Sequence, residues 1–386
     1  MPRRDFGIQY AAAAFVAFLF ASSGPVAIIL SIGAQGGLAE SDIASWIFAA
    51  FVLNSVISAG FSLYYRQPLV FLWSIPGSVL VGPALGHLSL PEVIGAFLAT
   101  GVLMALLGAS GLVRRAMDAV PMPIVMAMVA GVFLRFGLGL VFAFRDALLI
   151  ALPMTVAFLL FHFVKRGPPL IAALLTGAVA VWLLGAFNPP AGALFGLAAP
   201  NLYMPRFSWA AMVELVVPLA ITVLAVQNAQ GVAILATNGH KAPVNPITVA
   251  CGLGSIVTGL FGAVSTCLTG PVNAVLSTTG ETREQYKGAL WFCALCVLFG
   301  LLAPLFTRVL LATPPAFVAT LAGLAMLRVL QTAFSASFGG RFSFGALVCF
   351  LVTVADVPIL HIGAPFWGLV FGLASAWLLE RRDYIK

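Results

Sequence analysis

The chain has 386 residues, 62% of them apolar, with only 19 Lys or Arg and 12 Asp or Glu. Soluble domains carry about 25% charged residues; with 8% here, a water-exposed globular surface is excluded and the main solvent is lipid. The net charge of +7 does not point to nucleic acid, because the basic residues fall in short links between apolar runs, where they set membrane orientation.

A crossing needs about 20 mainly apolar residues. On that measure the first half reads as spans over 8–33, 42–63, 69–86, 92–112, 120–141, 146–164 and 168–187. The first follows Arg3 and Arg4 and is too long for the apolar region of a signal peptide. It carries a polar, helix-weakening patch, Ser22-Ser23-Gly24-Pro25. The third is short and interrupted by Trp73-Ser74-Ile75-Pro76-Gly77-Ser78. After a more polar stretch, 188–208, come spans over 209–236, 244–262, 263–280, 286–306, 313–333, 342–358 and 362–379. The eighth holds Gln227-Asn228-Ala229-Gln230-Gly231, and the tenth is broken by Ser265-Thr266-Cys267-Leu268-Thr269-Gly270-Pro271-Val272-Asn273. This makes about fourteen spans of an all-α membrane protein.

Charge tests the count. With the N-terminus in the cytoplasm, Arg3, Arg4, Arg66, Arg114, Arg115, Lys165, Arg166, Lys241, Arg283, Lys287, Arg328, Arg341, Arg381, Arg382 and Lys386 fall inside. Arg145, Arg206 and Arg308 fall outside, and Arg135 within a span. That bias is what the positive-inside rule requires, and it places both termini in the cytoplasm of a bacterial inner membrane. The five cysteines, including the Cys293–Cys296 pair, lie in apolar stretches and read as small packing residues. The four histidines show no metal-ligand spacing. No metal or cofactor is expected, and no nucleophile–base pair suggests an enzyme.

The two halves share segments in register. Val26–Ile29 matches Val232–Leu235, Leu53–Ser58 matches Leu253–Thr258, Pro123–Gly131 matches Pro315–Gly323, and Val181–Leu184 matches Ala376–Leu379. Seven spans per half is odd, so the second half enters from the opposite side as an inverted repeat, common in secondary transporters. The alternative is a low-complexity bundle that mimics a repeat.

In such folds the substrate site lies near the midplane, at broken helices in equivalent places. The third and tenth spans fit. Proline suits a first helical turn, residues ahead of it favour extended backbone, and Ser74 or Thr269 can cap. Each break thus reads as an extended piece turning into a half-helix. Two such N-termini make an anion site without a basic side chain, near Gly77, Ser78, Gly270 and Asn273. Packing kinks are the plain alternative. Gln227 and Asn228, with Ser22 and Ser23 at the matching level, would complete the polar end; interhelical hydrogen bonding is the alternative there. Among ionisable groups in spans, Asp356 and Glu214 are candidates for a proton, or for structural pairing; Arg135 reads as snorkelling.

With the Gln227–Gly231 patch, the Trp73–Gly77 break, Leu134-Arg135-Phe136-Gly137 and Phe366-Trp367-Gly368-Leu369, the chain resembles the benzoate/proton symporter (BenE) family over nearly its whole length. That family is similar in fold to uracil permease. The resemblance implies two inverted seven-span repeats, with short antiparallel strands in spans 3 and 10. It implies a core domain over 1–118 and 209–307, a gate domain over 119–208 and 308–386, and a homodimer. Nucleobase relatives carry carboxylates in spans 8 and 10; here the matching regions hold Gln227 and, near Asn273, no acid, which suits an anionic substrate. The expected function is proton-coupled uptake of benzoate or a related aromatic carboxylate. Rivals are another small organic anion or a nucleobase on the same fold, and an uncoupled anion pathway.

Overall fold

The computed structural model describes residues 7–113, 115, 121–164, 168–189, 195–360 and 362–384. Arg3, Arg4, Arg114, Lys165, Arg166 and Lys386, all counted toward the inner face, lie outside them. The chain is almost entirely helical. Its first part holds α1 (Ile8–Ser22), α2 (Gly24–Gln35), α3 (Glu40–Tyr65), β1 (Phe71–Trp73), α4 (Ile75–Ala84) and α5 (Leu90–Ser110). Then come α6 (Met122–Asp146), α7 (Leu148–Val164) and α8 (Pro169–Leu183). After an extended stretch follow α9 (Trp209–Thr237), α10 (Val244–Gly259), β2 (Thr266–Leu268) and α11 (Gly270–Leu276). The last part holds α12 (Tyr286–Leu301), α13 (Ala303–Leu311), α14 (Pro315–Phe338), α15 (Ser343–Ala355) and α16 (Ala364–Leu379).

Six continuous helices among the described residues are long and apolar enough to cross a membrane, with α1 and α2 taken as one. A helix running over 286–306 was expected; instead the chain bends by 63° between α12 and α13. Pro304, in the first turn of α13, has no N–H to continue the α12 ladder, and Leu302 leaves helical geometry at φ −96°, ψ 14°. The tenth expected span is a strand followed by a seven-residue helix. Asp356, expected within the thirteenth span, ends α15 in left-handed geometry at φ 54° and is 46% exposed. Its carboxylate accepts a hydrogen bond of 3.0 Å from Arg135 of α6.

β1 and β2 pair antiparallel, with Phe71 opposite Leu268 and Trp73 opposite Thr266. A two-stranded sheet in a lipid-facing protein leaves edge N–H and C=O groups that no water can satisfy. Buried side chains do so here. Ser58 Oγ of α3 accepts from Phe71 N–H at 2.8 Å and donates to Ser58's own helix and to the Phe71 carbonyl. Just ahead of β1, Ser62 Oγ accepts from Leu69 N–H and donates to the Leu69 carbonyl. On the other edge Ser255 accepts from Thr266 N–H and Asn228 Oδ1 accepts from Leu268 N–H, at 2.9 and 2.8 Å. Much of the buried polarity of this chain thus exists to seal a sheet of six residues.

The helices pack closely through small residues. α6 lies along α14, and α15 along α16 and α6; α5 lies along α10, and α2 against α14. At the α5–α10 crossing, backbone meets backbone. A Cβ at Gly252 would collide with Ala105 N and sit 2.6 Å from the Gly101 carbonyl oxygen. Gly252→Ala is therefore expected to cost about 1–3 kcal/mol, the usual penalty of overpacking, seen as a lower thermal unfolding midpoint in detergent.

The stretch expected to be more polar, 188–208, contains no helix in its described parts, residues 188–189 and 195–208. It is tied down at its centre: Tyr203 donates to Asp42 at 2.5 Å, and Asn201 to the same oxygen at 3.2 Å. Burial and the bond to Asp42 push the Tyr203 hydroxyl well above the ordinary phenol range.

Candidate functional site

Both breaks form as local chemistry dictates. At β1–α4, Ser74 is extended (φ −75°, ψ 111°), its Oγ accepts from Gly77 N–H at 3.0 Å, and Pro76 occupies the first turn. At β2–α11, Thr269 is likewise extended and Pro271 sits in the first turn, but the Thr269 side chain does not cap the helix. The antiparallel register turns α4 and α11 in opposite directions from one buried centre.

A cavity of about 580 Å³ opens beside this centre. Its polar wall comes from Gln227, Gln230 and Thr269, with Trp73, Ile75, Pro76 and Pro271 at the helix starts. Its facing wall comes from Met122, Met126, Val129 and Phe133 of α6 and from Met326, Arg328 and Val329 of α14. Phe20 and Pro25 close one side. Trp73, Val129, Phe133 and Met326 are buried, whereas Met122, Arg328, Thr332 and Ala336 are exposed; the cavity therefore opens toward the start of α6 and the end of α14. Its volume lies within the range of small-molecule sites, about 300–1,000 Å³.

The sequence-derived candidates separate clearly. Gln227 is 8% exposed, lines the cavity, and makes no side-chain hydrogen bond to any described residue. It lies in a π-helical turn, Thr222–Asn228, a feature frequent at functional positions. Asn228, one residue on, turns away: its Oδ1 holds Leu268 N–H and its Nδ2 lies 3.5 Å from Cys251 Sγ. Asn273 also faces inward, accepting from Val70 N–H at 3.0 Å and donating to the Val70 carbonyl at 3.2 Å. Ser78 donates to the Ser74 carbonyl. Ser22 and Ser23 donate back to Phe18 and Phe20 at the α1–α2 break, where Ser23 has φ −98° and ψ −97°. Gly77 packs under Leu219, and Gly270 under Gln230, whose Oε1 would be 2.6 Å from a Cβ there.

Of the proton candidates, neither lines the cavity. Asp356 is paired with Arg135, as above. Glu214 is 4% exposed and lies 2.9 Å from His87 Nε2. Among the described residues no Asp or Glu lines the cavity, and Arg328 is its one charged lining residue. Arg328 contacts Gln331 and His162 only at 3.5 Å, so its guanidinium is loosely held at the mouth. The sequence points to an apolar surface of the gate spans for the ring but does not single out these residues of α6 and α14. The available signal was that 123–131 and 315–323 are segments the two halves share. Thr269 was read only as a cap, yet its hydroxyl is left without that bond and faces the cavity wall.

The geometry describes an apolar cavity with a few unpartnered polar groups, enclosed by membrane helices. The fold is shared with solved anion transporters. It matches the transmembrane domain of a cyanobacterium bicarbonate transporter, BicA, with a TM-score of 0.63 at 15% identity, over 96% of this chain and 98% of that one. It matches the murine Slc26a9 anion transporter in the inward-facing state with a TM-score of 0.67 at 14% identity, over 99% of this chain and 70% of that one. In sequence, the chain is 32% identical to inner membrane protein YdcO of Escherichia coli (strain K12), over 93% of each. It is 27% identical to the benzoate membrane transport protein of Acinetobacter baylyi, over 98% of this chain and 96% of that one. The profile of the BenE family, benzoate membrane transport protein, matches residues 5–378. The chain is thus an integral membrane transport protein, not an enzyme, and belongs to the BenE benzoate membrane transport family.

Proposed function

We propose that this protein takes up benzoate or a closely related aromatic carboxylate together with a proton, by alternating access. One observation carries the reading: the Gln227 amide faces an apolar cavity without a hydrogen bond to any described residue, and no described carboxylate lines that cavity. An amide that faces a cavity without a protein partner is available to complete its hydrogen bonds with a ligand. Gln227 and the Thr269 hydroxyl receive the carboxylate beside the positive ends of α4 and α11. The ring lies among Trp73, Phe133, Met126 and Met326, where aromatic edges and thioether sulfurs suit it. Arg328 draws the anion to the mouth.

In this reading residues 1–118 and 209–307 form the core and 119–208 and 308–386 the gate, two inverted seven-span repeats with the cavity between them. Lining from α4, α9 and α11 on one side and from α6 and α14 on the other supports that division. The state described is open toward the end carrying Met122 and Ala336, which the charge asymmetry assigns to the cytoplasm of the inner membrane. The kinship of fold with anion transporters favours, as the second reading, another small organic anion.

Radiolabelled benzoate uptake into proteoliposomes tests the proposal. Accumulation driven by an imposed proton gradient, abolished by a protonophore and above the leak of empty liposomes, is the expected result. Saturable uptake indifferent to the gradient would remove the proton; none above the leak would remove benzoate.

A further inference from the structure

Among the described residues, Glu214 is the one carboxylate, Lys or Arg that is buried. An ionisable group buried in a membrane span is expensive and is retained for function. It occupies a π-helical turn, Met212–Val216, near the start of α9. Oε2 lies 2.9 Å from Nε2 of His87, which is 33% exposed in the link between α4 and α5, so the pair reaches water through the imidazole. Oε1 abuts Gly363, the N-cap of the sixteen-residue α16, and a Cβ at that glycine would collide with it. The carboxylate therefore touches both bodies of the proposed transport cycle. It sits about 15 Å beyond the cavity, at the opposite end of the ten-residue α4 from Ile75 and Pro76.

The other charges nearby are few. On α5, Glu92 is bonded to Ser89, with Arg206 beside it. Neither α4 nor α16 bears an ionisable residue within its helix. His361 lies outside the described residues.

We infer that Glu214 and His87 form a proton-binding site that controls opening of the face away from the cavity mouth. The inference rests on the alternating-access reading above. With one proton between them the pair is neutral overall, whether as imidazolium and carboxylate or as imidazole and carboxylic acid, and closes stably against Gly363. A second proton, taken from water on that face, makes Glu214 neutral, so no negative charge remains between the imidazolium and the positive end of α16. The imidazolium charge disfavours the closed contact. Opening parts Glu214 from Gly363 and lets water solvate the imidazolium. By linkage, the open face binds the proton more tightly than the closed one, so acid on that side brings the site to face the incoming substrate.

A cysteine at Ile362, which is 8% exposed beside Gly363, reports this opening without any substrate. The five native cysteines are buried. Maleimide labelling of Ile362→Cys in proteoliposomes, normalised to an exposed Leu360→Cys control, is expected to rise roughly tenfold from about pH 7 to pH 4, as the second proton goes onto the carboxylate. Adding Glu214→Gln should move the rise up into the range in which histidine switches, because the imidazolium then has no carboxylate to offset it, and adding His87→Gln should flatten the profile. Labelling that is pH-independent in the parent, or that keeps its pH profile in both variants, overturns the inference. Benzoate uptake in the same proteoliposomes separates the two claims. Uptake with flat labelling sinks only the proton site; a labelling switch without uptake sinks only the benzoate reading.

Discussion

Replacing Asn273 with alanine is expected to destabilise the protein by about 2–4 kcal/mol, through loss of the Val70 clamp rather than loss of a substrate contact. The Asn273 amide is fully buried and bonds both backbone groups of Val70, 203 residues away in sequence. The Val70 carbonyl keeps a second donor, Thr269 N–H, at 3.1 Å, but the Val70 N–H is left without an acceptor in a site that water does not reach. Because β1 and β2 position both half-helices, the damage spreads to the cavity. The midpoint of thermal unfolding in detergent should fall, and uptake should fall with the amount of folded protein. An Asn273→Ala protein as stable as the parent, with uptake lowered through KM alone, would put Asn273 in the substrate site instead.

Gln227→Ala is expected to behave in the opposite way. No hydrogen bond to a described residue is lost, since the Gln227 amide makes none, so stability and membrane expression should hold. A hydrogen bond to a charged ligand is worth about 1.5–3 kcal/mol, which corresponds to roughly 10–100-fold in benzoate KM. Gln227→Glu should go further and abolish uptake, because a fixed carboxylate on the polar wall repels the substrate carboxylate. Unchanged uptake kinetics in Gln227→Ala would remove Gln227 from the site and with it the main support for a carboxylate at that wall. Sequence treats these two amides alike, as polar groups beside a broken span; the fold gives one to the backbone and one to the cavity.

What the sequence by itself determined is set by composition and by local chemistry. Few charges and long apolar runs require lipid as solvent. Pro76 and Pro271, each preceded by Ser or Thr and an extended residue, break their spans because proline cannot continue a hydrogen-bond ladder but fits a first turn. These are short-range effects, readable within a few residues. The tertiary structure alone decided which face each polar side chain takes. Gln227 and Asn228 are neighbours in sequence, yet one step around the helix sends one to the cavity and the other to Leu268 N–H. Glu214 found its partner 127 residues away, and Asp356 found Arg135 across 221. The wall of Met126, Val129, Phe133 and Met326 was hidden for a more general reason. In a membrane protein an apolar side chain is equally at home against lipid, a neighbouring helix or an aromatic substrate, so hydrophobic pattern cannot tell these surfaces apart; only packing does.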